Sequence, residues 1–176
     1  DNNLGYDAFN ARWHRWDTCS LCEQSYHGVV KCALGWACWK TYLGRPEADW
    51  TRRLAMTVLG NGLYGADHHE DALPVYEAEL SMKRRHNASE ESLLSGLANL
   101  AVTYGMVGRH EKAVGMLRDI YSGSLRLYGE DNRRTLISAS NYAASLRDHD
   151  SFEEARLLLR KTLPVARRVL GDKDRI

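Results

Sequence analysis

The chain has 176 residues, 44% of them hydrophobic, and a formal net charge of +1 with acidic and basic side chains mixed along its length. Such a balance gives no electropositive field to gather nucleic acid or an anionic lipid surface, and no run approaches the roughly 18 apolar residues that a membrane helix needs. The length suits one ordinary domain, or a short repeat array with a small appendix.

The N-terminus, DNNLGYDAFN, has neither a basic start nor an apolar signal core, and with no initiator Met the chain is expected to be a piece of a longer protein. All four cysteines, Cys19, Cys22, Cys32 and Cys38, lie within twenty residues. A local cluster in an otherwise thiol-free chain suits a reducing compartment and a metal better than a disulfide framework. The expectation is an intracellular protein, in the cytoplasm first and the nucleus second. Cys19, Cys22, His27 and Cys32 read C-x2-C-x4-H-x4-C, and three thiolates with one imidazole suit a closed tetrahedral zinc site, structural because no position is left for water. Cys38 is the alternative fourth ligand. If residues 29–43 form a helix, Cys32 and Cys38 cannot both join His27, because offsets of five and six residues lie on different faces. Both are equally readable as small buried residues of VVKCALGWACWKTY.

The spacing resembles that of zinc knuckles, although Glu23 and Tyr26 stand where retroviral-type knuckles carry glycine, which counts against single-stranded RNA as a ligand. CSLCEQSYH followed by WAC also resembles part of a PHD-type finger, but too few ligands remain for a second zinc. All five tryptophans (Trp13, Trp16, Trp36, Trp39, Trp50) precede residue 51. Residues 1–53 therefore read as a small metal-stapled cap that closes the first repeat. The alternative is nucleic-acid binding, with bases stacked on the tryptophans. Seven Lys and Arg against six Asp and Glu in this segment leave that reading without its electrostatic half.

Residues 54–80, 95–121 and 137–163 align without a gap at shifts of 41 and 42. A small residue at Gly60, Ala101 and Ala143 is followed by a large one at Leu63, Tyr104 and Leu146. Alanine then recurs at Ala72, Ala113 and Ala155, with Tyr76, Leu117 and Leu159 beyond it. Such columns mark where two antiparallel helices approach closely and large side chains fill the space beside small ones. Polar turns (GADHHED, GMVGRHEK, RDHDSFEE) separate the helices, with a Glu in the first turn of the second, where the helix dipole favours an anion. His86-Asn87, Tyr128-Gly129 and Leu170-Gly171 follow, residues able to take the left-handed conformation that ends a helix. Pro74 is expected in a first turn, where it is tolerated. Pro164 falls inside the last helix and is expected to bend it near Arg160.

These columns resemble the tetratricopeptide repeat (TPR), and the 42-residue period, with LANLAVTYGMVGRHEKA and LYGEDNRRTL, resembles the variant of kinesin light chains. The resemblance implies an all-α, right-handed superhelical solenoid of about three hairpins, near 54–92, 93–135 and 136–176. It also implies a protein–protein interaction module or scaffold, holding a peptide or partner protein in the concave groove of the first helices. Groove positions would be Leu54, Thr57, Asn61 and Tyr64, then Ser95, Asn99 and Val102, then Ile137, Asn141 and Arg147. The asparagines either bond a peptide backbone or satisfy a neighbouring helix end. Some TPR domains grip a C-terminal carboxylate with two asparagines and cations. Asn61 and Asn99 match the asparagines, but Thr57, Ile137 and Asn141 stand where cations are needed, so that clamp is not expected.

No phosphate loop, nucleophile elbow or HExxH appears, so no enzyme is expected. His68 and His69 read as a solvated pair. The last helix carries Leu157, Leu158, Leu159, Leu163, Val165, Val169 and Leu170, more apolar surface than one inner face requires. Further repeats, or self-association, are expected to cover it.

Overall fold

The computed structural model describes residues 9, 10 and 12–171. Among them lie seven helices of 15 to 19 residues: α1 (Gly28–Tyr42), α2 (Trp50–Tyr64), α3 (His69–Arg85), α4 (Glu90–Met106), α5 (His110–Tyr128), α6 (Arg133–Asp148) and α7 (Phe152–Leu170). The described residues contain no strand beyond one isolated antiparallel bridge, Thr18 to Ser25. The fold is all-α, built of helix hairpins in two compact units, Asp1–Asn87 and Ala88–Ile176.

In the first unit α2 begins at Trp50, ahead of the expected repeat start, because Asp49 caps it. The Asp49 carboxylate accepts from the Thr51 backbone N–H at 2.8 Å and the Thr51 hydroxyl at 2.7 Å, and these bonds hold its pKa below the usual carboxylate range. Helix α1 packs antiparallel on α2 at glycine contacts. A Cβ on Gly62 would stand 2.7 Å from the Lys31 carbonyl and 3.1 Å from the Cys32 Cα, and one on Gly35 would press on the Leu59 backbone at 3.1 Å. Trp16, Cys38 and Ala55 form the buried centre of this layer, with Trp13, Leu34, Trp39, Tyr42 and Val58 around it. Three of the five tryptophans are thus occupied in a core rather than presented as a stacking platform.

Between α2 and α3 the small-beside-large column is realised literally, since a Cβ on Gly60 would overlap the Tyr76 ring. Pro74 sits a turn later than the sequence suggests: the bond from the Ala72 N–H to the His68 carbonyl (3.0 Å) already closes the first turn. It therefore removes a bond to the Glu70 carbonyl, and α3 continues through it.

In the second unit α4 and α5 form one hairpin, α6 and α7 the next, and α6 also packs on α5. Ala101, Leu117 and Ile120 are its buried centre, joined by Leu97, Ala98, Met116 and Tyr142. Within residues 54–171 the left-handed residues obey the repeat. Asp67, Gly108 and Asp150 (φ 62°, 77° and 58°) turn the chain inside the three hairpins, and Asn87, Gly129 and Gly171 (φ 48°, 80° and 75°) end them. Helix α7 runs unbroken from Phe152 to Leu170 through Pro164.

A candidate partner groove and the N-terminal thiols

The second unit carries a hollow of about 300 Å3 bounded by α4, α5 and α6. Ser95 and Val102 on α4 and Ile137 and Asn141 on α6 line it, four positions that the sequence assigns to a groove. The floor is apolar, from Leu94, Ala98, Leu117 and Ile120. At one end the Arg134 guanidinium donates to the Glu91 carboxylate and, at 2.9 Å, to the Tyr128 hydroxyl. The contributions of α5 and of Arg134 are not legible in a scheme that lines grooves with first helices alone, and only the near-repeat separation of Glu91 and Arg134 hints at their pairing.

The other groove candidates are placed differently. Thr57 donates to the Glu79 carboxylate at 2.6 Å, and the Asn61 side-chain oxygen accepts from the Tyr76 hydroxyl at 2.7 Å. Tyr64 rests against the His69 ring at 4.8 Å. All three are thus engaged with α3 or its start. Asn99 is half-buried and does not line the hollow. Arg147 bonds Asp148 and lines a second hollow of about 610 Å3 on α6 and α7, beside Phe152, Leu159, Leu163 and Pro164. Of the expected solvated pair only His68 is open, 3.8 Å from Asp71; the His69 side chain, at the start of α3, is 15% exposed against the Tyr64 ring and 3.7 Å from Asp67.

The proposed zinc ligands do not assemble as a set. Among the described residues no three His, Cys, Asp or Glu side chains converge to hold a metal. Cys32 lies on α1 where its backbone meets Gly62, and Cys38 has no exposed surface, with burial pushing its thiol up to about 12. Helix formation over Gly28–Tyr42 separates both from the preceding turn, and His27 sits at the N-cap of that helix. Cys19 and Cys22 remain together. Hydrogen bonding to the Cys22 and Leu21 backbone is the main influence that lowers the Cys19 pKa to about 7. The Tyr26 hydroxyl is raised in turn, by desolvation and then by Cys19.

Residues 86–168 match the tetratricopeptide repeat family. No curated protein sequence matches the chain. Among solved structures, a Podosopora anserina protein described as a kinesin light chain with nearly identical TPR-like repeats is similar at 16% identity and a TM-score of 0.65, covering 82% of this chain and 67% of that one. BtubC (BKLC) from P. vanneervenii is similar at 17% identity and a TM-score of 0.66, over 82% of this chain and 59% of its own. A Rap protein complexed with competence and sporulation factor is similar at 12% identity and a TM-score of 0.68, over 81% of this chain and 39% of its own. The chain therefore spans about two fifths to two thirds of the length of these structures. The likeness is one of fold: this is an all-α chain of TPR-like helix hairpins, with the family's repeat matched across residues 86–168.

Proposed function

We propose that the protein is a non-enzymatic interaction module whose α4–α6 groove holds an extended or helical segment of a partner protein. The observation that carries this reading is the pairing of exposed aliphatic groups with unspent hydrogen-bonding side chains in one hollow. Val102 and Ile137 are 42% and 41% exposed, and Ser95 and Asn141 beside them have open amide or hydroxyl groups. Such a surface complements a peptide offering one or two aliphatic side chains and its own backbone amides. That a Rap protein of this fold is complexed with competence and sporulation factor agrees with the reading. Selection of a displayed peptide library on the protein tests it. Enriched peptides should lose roughly tenfold or more in affinity with Val102→Glu or Ile137→Glu, the worth of one buried aliphatic contact. Thr57→Ala, on α2, should leave them unaffected. Failure to enrich any peptide, or indifference to both groove variants, would overturn it.

Self-association through α6 and α7 belongs to the same reading. Phe152 and Leu163, beside the larger hollow, are 58% and 45% exposed. Helix α7 begins with Glu153 and Glu154 and ends with Arg167 and Arg168, so two copies paired through antiparallel α7 helices set acids against bases. Sedimentation at micromolar concentration reads this directly: a monomer indifferent to Leu158→Glu and Leu159→Glu removes it.

A further inference from the structure

The outward side of α1 lacks the charges that the other helices show to solvent. Exposed positions of α3 include Glu70, Asp71, Glu77 and Arg84, and those of α5 include Glu111, Arg118, Asp119 and Arg126, as expected of helices with one buried stripe. On α1, Gly35 and Cys38 are buried toward α2, whereas Val29, Val30, Ala33, Trp36 and Ala37 are exposed, Val29 by 79% and Trp36 by 45%. These five share one face at helical spacing, and that face carries no charge until Lys40. Lys31, the other charge of α1, lies on the side of Gly65 and pairs with Asp17 at 3.3 Å.

We infer that this face pairs with the same face of a second copy of the chain, the two α1 helices running antiparallel about a two-fold axis at Ala33. The pattern is self-complementary about that residue. Ala33 meets its own counterpart, where a small side chain lets the backbones approach, Trp36 of each copy lies on Val29 of the other, and Ala37 makes room for Val30. Lys40 then lies beside the turn ahead of the other copy's helix, which carries the exposed Glu23. Parallel pairing would set Lys40 against Lys40 instead, so the charges select the antiparallel arrangement. The exposed parts of these side chains amount to about 400 Å2 per copy, below the roughly 800 Å2 per partner of a standard interface, which makes the dimer a weak one. The inference is independent of the α4–α6 groove and uses a different helix from the α7 pairing.

Sedimentation of the whole chain carrying Leu158→Glu, which removes any contribution of α7, tests the pairing at concentrations up to about 200 µM. The expected result is a concentration-dependent dimer whose dissociation constant rises at least tenfold in Ala33→Glu and in Trp36→Glu. Ala33 is exposed, so its replacement should leave the helical circular dichroism unchanged, which separates loss of pairing from loss of fold. Orientation is read by cross-linking in a Cys19→Ser, Cys22→Ser, Cys32→Ser background. Mild oxidation should join two copies through Ala33→Cys at the axis. Lys40→Cys, seven residues from the axis and about 20 Å from its counterpart, should not be joined. A monomer throughout the range overturns the proposal, including one that holds a different protein on this face. So does a dimer indifferent to Ala33→Glu, or one cross-linked equally through Lys40→Cys.

Discussion

Glu79 has no exposed surface, and one of its oxygens is shared by the Thr57 hydroxyl at 2.6 Å and the Lys83 ammonium at 2.7 Å, while the other has no partner. Removing one member of a buried ion pair leaves a charge that burial penalises, whereas replacing both by apolar groups can be neutral. Lys83→Met should therefore destabilise the first unit by about 3–5 kcal/mol, and Glu79→Leu combined with Lys83→Met should recover most of the loss, as read from urea midpoints. Cys38 makes a second prediction at the same scale. Its folded pKa, about 12, lies above the ordinary thiol value because burial disfavours the thiolate. A raised folded pKa means full stability below the unfolded pKa, with loss as the pH rises toward the folded one. The first unit should hence lose stability progressively above about pH 9, and Cys38→Ala should show a flatter profile there despite a lower baseline.

Among the elements, α7 carries its own defect. Pro164 lies in the helix interior, so the Arg160 carbonyl has no N–H to meet it. Pro164→Ala should restore that bond and raise the denaturation midpoint, by about 1–3 kcal/mol against the cost usually assigned to an interior proline. The hairpins themselves are legible in the sequence because their constraints are local and repeated. Gly60 against Tyr76, and the left-handed column of Asn87, Gly129 and Gly171, need only a period and a steric rule. The candidate sites are less legible, because spacing does not say where a side chain is spent. Asn61 and Asn141 are both groove candidates by sequence, yet Tyr76 takes the oxygen of the first and nothing comparable meets the second. Likewise C-x2-C survives as a local turn, whereas Cys32 is carried away by a helix whose packing on Gly62 the metal spacing does not anticipate.

At the scale of the whole molecule, the division at Asn87 gives each unit its own centre: Trp16, Cys38 and Ala55 in one, Ala101, Leu117 and Ile120 in the other. The tryptophans fall entirely on the first side, between residues 13 and 50, so their fluorescence reports the first unit alone while far-ultraviolet circular dichroism reports helices of both. Ala113 is 2% exposed on α5, and Ala113→Leu forces a large side chain into a close helix contact, costing about 1–3 kcal/mol. If stability is carried by two separate cores, this change should lower a dichroism transition by several degrees, of the order expected for a domain of this size. The tryptophan transition should remain where it was. A common shift in both signals would show instead that the two units unfold as one cooperative body, and the same pair of probes would then have to be read as a single stability.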